Sequence, residues 1–209
     1  MESPFRDSGD VILIETLGWD GTGFPRLALH LDRFVLSAQR LGRTVDRSTA
    51  EAALRLHTSP TPLRMRMTLD VYSHLRVEAH PSPEPARHWR VGIAAERLDA
   101  SDPWLGIKTS RRAAYDRVRA TLPEGWDEAI LLNQRGEVCD GTITTLFVRT
   151  VEGLMTPPLT SGLLPGVLRA DLIAQGDCQE GLLTPADLEG AEILMGNSLR
   201  GLIPATLCP

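Results

Sequence analysis

The sequence predicts an α+β protein built as two domains, and three features carry that expectation. Runs with strand-like alternation and runs with amphipathic-helix spacing interleave, but without the regular strand–helix–strand spacing of a doubly wound sheet. Neither GxGxxG nor GxxxxGK[ST] occurs, so neither a dinucleotide fold nor a P-loop is indicated. Residues 81–87 hold three prolines, which break both patterns. A linker there divides a small N-terminal domain, 1–80, from a larger one, 88–209.

The elements follow in order. VILIETLGW (11–19) is β-rich and ends in the turn signal DGTG. In the stretch 27–43, Leu27, Leu31, Phe34, Val35, Ala38 and Leu41 recur at helical spacing, with Gly42 as a stop. A short helix is expected near STAEAALRLH. LRMRMTLDV (63–71) alternates apolar Leu63, Met65, Met67, Leu69 and Val71 with polar partners, as a half-buried strand does, and LRVEAH is its hairpin partner. Beyond the linker, HWRVGIAA restarts a strand and 109–121 reads as a helix. AILLN (129–133) and VCDGTITTLFV (138–148) flank the turn NQRG as a hairpin, and helices are expected at 166–175 and 185–190.

With 42% hydrophobic and 23% charged residues and a net charge of −5, the 209-residue chain lacks the basic excess of a nucleic-acid binder. The N-terminus MESPFRDSGD has no basic n-region or apolar h-region, and no apolar run is long enough to cross a bilayer, so a cytoplasmic protein without membrane contact is expected. Cys139, Cys178 and Cys208 are odd in number, with no CxxC or His-Cys pattern; they read as reduced thiols, and no metal site is indicated.

Lys108, in PWLGIKTSRRAAYD, is the only lysine in the chain. A guanidinium keeps its proton, whereas a desolvated amine can lose one and act as a nucleophile. A single lysine is also what chance leaves in an arginine-rich chain. LLPGVLRADL (163–172) feeds a Pro-Gly turn into a helix whose Gly166, Val167 and Leu168 amides would seat an anion, or simply start a helix. In MGNSLRG (195–201), Ser198 lies between glycines that allow close backbone approach to a ligand, or that bracket an ordinary turn. Arg33, in HLDR, is an anion-binding candidate or a solvated charge. Asp140, inside the apolar and hydroxyl-rich VCDGTITTLF, needs a partner if buried, unless Asp-Gly is a turn. Of five histidines only His30 lies near these candidates, and no Ser-His-Asp order emerges.

In order and spacing, IETLGWDGTG, HLDRFVLSAQRLG, GIKTSRRAAYD, DEAILLNQRGEVCDGTITTLFV, TPPLTSGLLPGVLR and NSLRG resemble the class IV aminotransferases from residue 12 to the end. These are the fold-type IV pyridoxal-phosphate enzymes, which include branched-chain aminotransferase, D-amino acid aminotransferase and 4-amino-4-deoxychorismate lyase. The resemblance implies a small N-terminal α/β domain, a barrel-like C-terminal α/β domain, pyridoxal 5'-phosphate as cofactor, an amino-acid-like substrate and a homodimer. It makes Lys108 the Schiff-base and proton-shuttling lysine. Arg33, the amides of Val167 and Leu168, and Ser198 become the phosphate cup, and Tyr115 a hydrogen-bonding group near the cofactor. Asp140 stands where the family usually has the glutamate that meets the pyridine nitrogen, one methylene shorter. Thr145 replaces a common asparagine. The hairpin lacks the Gly-Arg-rich loop that carries a substrate-binding arginine in several relatives. Arg200, Arg64 and Arg66 are therefore carboxylate candidates by charge, the last two also reading as exposed strand arginines. NSLRG and KTSRRAAYD look most like the aminodeoxychorismate lyase branch, which makes 4-aminobenzoate and pyruvate in folate synthesis. A branched-chain or D-amino acid aminotransferase is the alternative, and a degenerate non-catalytic homologue the lesser one.

Overall fold

A computed structural model describes residues 4–5 and 9–209 as two compact units. One comprises the chain up to Glu84 together with Ile107–Arg111; the other comprises Pro85–Gly106 and Arg112–Pro209. The segment bearing Lys108 thus groups with the first unit. The class is α+β, as expected from the sequence.

In the first unit, β1 (Leu13–Trp19), β2 (Leu63–Leu69) and β3 (Leu75–Pro81) form an antiparallel sheet in that order. The alternation read from the sequence sends Leu13, Leu17, Met65, Met67 and Leu69 to one buried face. Leu31, Phe34 and Ala38 of α1 (Leu27–Arg40) and Ala50 and Leu54 of α2 (Arg47–Arg55) are buried as well. Buried Arg43 donates to the carbonyls of Leu69 (3.0 Å) and Val11 (2.5 Å), tying the chain after α1 to the sheet.

The second unit holds an eight-stranded mixed sheet. Its strands are β4 (Trp89–Leu98), β5 (Glu128–Asn133), β6 (Val138–Gly141), β7 (Thr145–Thr150), β8 (Gly153–Thr156), β9 (Cys178–Glu180), β10 (Ile193–Asn197) and β11 (Gly201–Leu207). They lie in the order β6-β5-β4-β11-β10-β7-β8-β9, with β4 parallel to both β5 and β11. Every residue of β5 is buried: Ile130 and Leu132 face one core with Val91, Leu146 and Met195. Ala129 and Leu131 face another, with Val118 of α3 (Ala113–Ala120). Leu168 of α4 (Val167–Gln175) packs with Phe147 and Leu194.

Three expectations are corrected. The helix expected over 109–121 begins only at Ala113, because Thr109 bridges Leu13 and the backbone of Lys108 and Ser110 is bonded to β1. The strand expected over 138–148 breaks into β6 and β7, because the backbone N–H groups of Thr142 and Ile143 and the hydroxyls of Thr142 and Thr144 turn to Glu128. The last expected helix, 185–190, is a 3-10 turn, Pro185–Leu188, started by a Thr184–Asp187 capping box.

Candidate active site

In the first unit, Lys108 is held by its backbone against β1. Ile14 N donates to Lys108 O (2.8 Å), and Ser110 N donates to Ile12 O (2.8 Å). With Thr109 opposite Leu13, the antiparallel register sets half-buried Lys108 across from Ile14. Its side chain therefore shares the face of Ile14, Thr16, Thr68, Arg66 and Arg64, opposite the apolar core.

Glu15, the next residue of β1, points to the other face and is only 1% exposed. Arg33 reaches it from α1, donating Nε to Oε2 (3.0 Å) and Nη2 to Oε1 (2.5 Å). His30 Nδ1 lies 2.9 Å from Oε1. Burial alone would raise the Glu15 carboxyl, but the Arg33 charge and the His30 hydrogen bond outweigh it and bring it down to about 2. An ionised carboxylate only accepts, so His30 carries its proton on Nδ1. Arg33 is thus not a solvated charge but half of an ion pair, 14% exposed against Glu15.

The second unit gathers the remaining candidates. Gly166 precedes α4 in an extended conformation, with no side-chain cap and no acidic residue in the first turn. The Val167 and Leu168 amides are thereby first-turn donors without intrahelical acceptors. A Cβ at Gly166 would lie 2.7 Å from Thr145 Oγ1, and one at Gly196 would lie 2.9 Å from the Leu168 side chain. The start of α4 therefore packs closely on β7 and β10. Ser198 follows in the β10–β11 turn, which Asn197 organises: its Oδ1 accepts from Leu199 N (3.1 Å) and Arg200 N (2.9 Å), and its Nδ2 donates to Ile143 O (3.1 Å). That last bond joins the Ser198 turn to the turn after Asp140.

Asp140 is 6% exposed on β6. The Tyr115 hydroxyl is buried and has no hydrogen-bond partner among the described residues, while the Arg112 guanidinium sits 5.6 Å from its ring centroid. Burial, and then the Asp140 charge, push the Tyr115 phenol well above its ordinary range. Arg200 lies over the Trp89 ring, 5.7 Å from its centroid.

A buried, unspent tyrosine hydroxyl, an uncapped helix start next to Cβ-less glycines, and a carboxylate on the adjoining strand fit an anionic, phosphorylated aromatic group such as pyridoxal phosphate. Two buried carboxylates, Glu15 and Glu128, were missed from sequence. Glu15 had a signal, since it shares the parity of Leu13 and Leu17 and so had to point inward. Among the described residues no cluster of ligating side chains could hold a metal ion, and no helix is long and apolar enough to cross a membrane.

Comparison with known proteins agrees. The amino-transferase class IV family model matches residues 12–208. A Mesorhizobium loti protein, whose crystal structure proposes an amino-acid aminotransferase, is 40% identical with a TM-score of 0.90, over 95% of this chain and all of that one. A Schizosaccharomyces pombe protein with the proposed name aminodeoxychorismate lyase is 29% identical over 93% of this chain and 89% of its own. The 4-amino-4-deoxychorismate lyase of Pseudomonas aeruginosa shares the fold at 23% identity and a TM-score of 0.78, over 94% of this chain and 82% of that one. The chain belongs to the class IV aminotransferases, a family of pyridoxal-phosphate-dependent enzymes.

Proposed function

We propose that the enzyme is a lyase that converts 4-amino-4-deoxychorismate to 4-aminobenzoate and pyruvate. The observation that carries this is the sheet face shared by Lys108. It bears Arg64 and Arg66 beside Thr16 and Thr68, suited to a substrate with two carboxylates and ill suited to a branched aliphatic side chain. The S. pombe relative, alike over nearly the whole chain, supports the same choice.

Pyridoxal phosphate, when bound, supplies an aldehyde that condenses with amines and a protonated ring that accepts electron density. Asp140 holds the proton at the ring nitrogen. The Val167 and Leu168 amides, Ser198 and Arg33 hold the phosphate, with Glu15 and His30 fixing the Arg33 side chain. The Tyr115 hydroxyl donates a hydrogen bond beside the ring. Arg64 and Arg66 orient the substrate's carboxylates, with Arg200 a further candidate. Lys108 takes the proton from the substrate carbon bearing the amino group, the C–O bond to the enolpyruvyl group breaks as the substrate ring becomes aromatic, and the expelled enolpyruvate takes up a proton at its methylene carbon to give pyruvate. Family resemblance also supports a cytoplasmic homodimer that supplies folate synthesis.

The second reading is an amino acid aminotransferase, favoured by the proposed name of the M. loti relative. Pyruvate release from aminodeoxychorismate without a keto-acid acceptor supports the lyase; turnover seen only with amino acids plus 2-oxoglutarate overturns it. Lys108→Arg is expected to abolish the visible-edge absorbance band, the borohydride-stable adduct and turnover. Arg66→Ala is expected to raise KM for aminodeoxychorismate by about 10- to 100-fold and to lower kcat less, measured by steady-state kinetics.

A further inference from the structure

We propose that Glu128 is a positioning residue: it holds the turn that follows Asp140 and so sets where the Asp140 carboxylate stands against a bound ring. The proposal rests on the role assigned to Asp140 above. Glu128 opens β5, and its side chain is fully buried at 0% exposure. A buried carboxylate is costly unless its oxygens are satisfied. Here four of its five accepted hydrogen bonds come from one three-residue turn. Oε1 accepts from Thr142 N (3.0 Å), from the Thr142 hydroxyl and from Ala129 N (3.0 Å). Oε2 accepts from Ile143 N (3.1 Å) and Thr144 Oγ1 (3.0 Å).

The same turn is gripped from α3 and from Arg112 just ahead of it. Arg119 lies 3.6 Å from Glu128 Oε1 and donates to Thr142 Oγ1 at 3.0 Å, while Arg112 donates to Thr142 O at 2.9 Å. Gly141, directly after Asp140, donates its N–H to Thr144 O at 2.7 Å. A Cβ at Gly141 would lie 2.6 Å from Thr144 Oγ1, so the backbone here has no slack. An aspartate has one methylene less reach than a glutamate, so it depends more on a fixed backbone to keep its carboxylate in place.

The test titrates the apo-protein with pyridoxal phosphate and follows the bound cofactor's absorbance against pH. Glu128→Gln, Asp140→Asn and the double variant are compared with wild type. Glu128→Gln is expected to weaken affinity about tenfold and to shift the pH dependence in the same direction as Asp140→Asn. The double variant is expected to match Asp140→Asn alone, because Glu128 acts through Asp140. Thr144→Val keeps the side-chain shape and removes one hydrogen bond to Oε2; it should give the same shifts, smaller, and serves if Glu128→Gln does not fold. Additive losses in the double variant, or wild-type pH dependence in both Glu128→Gln and Thr144→Val, overturn the proposal. Wild-type behaviour of Asp140→Asn would instead remove the role assigned to Asp140, and this proposal with it.

Discussion

Glu15 is a residue whose protonation bears directly on stability. Its carboxyl drops from an ordinary 4.5 to about 2 in the folded protein, so the native state holds the ionised form more tightly than the unfolded chain does. The stabilisation is complete above about pH 4.5 and is lost as pH falls from there towards 2; on the order of 3 kcal/mol is at stake. Urea unfolding should show Glu15→Gln well below wild type at pH 7, with the gap closing towards pH 3. Equal losses at both pH values would mean that packing, not charge, is what the variant removes. Glu137 titrates in the same sense: hydrogen bonds from Arg135, then Asn133, bring its carboxyl to about 2. Wild type itself should therefore lose stability over the same window.

Among the elements, α4 depends on a missing side chain at its start. Gly166→Ala puts a methyl 2.7 Å from Thr145 Oγ1, so the Thr145 hydroxyl, the helix start or the strand must shift. A cost of about 1–3 kcal/mol is expected in thermal unfolding, together with weaker binding of pyridoxal phosphate in titration. Retained affinity at that cost would argue against the α4 amides as the phosphate seat. This element was legible in advance, since a Pro-Gly turn followed by an apolar-periodic run signals a helix start. β2 was legible for a similar reason: its alternation is complete over Leu63–Leu69. The break after Asp140 was not. Thr142, Ile143 and Thr144 all favour strands, and what turns them is a carboxylate 14 residues earlier in the chain. Thr109 and Ser110 likewise are no helix breakers; their pairing with Leu13 and Ile12 keeps them out of the helix, and Ile12 and Ser110 are 98 residues apart. Among the proposed site residues, Lys108 stood out by composition, whereas Val167, Leu168 and Ser198 each gave only a weak signal. Glu128 gave none, because an acidic residue ahead of an apolar run reads as a solvated strand end.

At the scale of the whole molecule, chain order and spatial order part company at Ile107–Arg111, which returns to the first unit after β4 has begun the second. The three-stranded sheet ends at β1, and those few residues lie along its outer side. The segment that carries Lys108 is thus also a guard on backbone that would otherwise offer unpaired N–H and C=O groups to another chain. Ser110→Pro removes both the donor to Ile12 O and the hydroxyl that accepts from Ile12 N. It should raise concentration-dependent light scattering on mild heating, beyond any loss of cofactor binding. Solubility and the chemistry proposed for Lys108 then rest on the same few residues, so a variant that lost activity would still need this backbone paired.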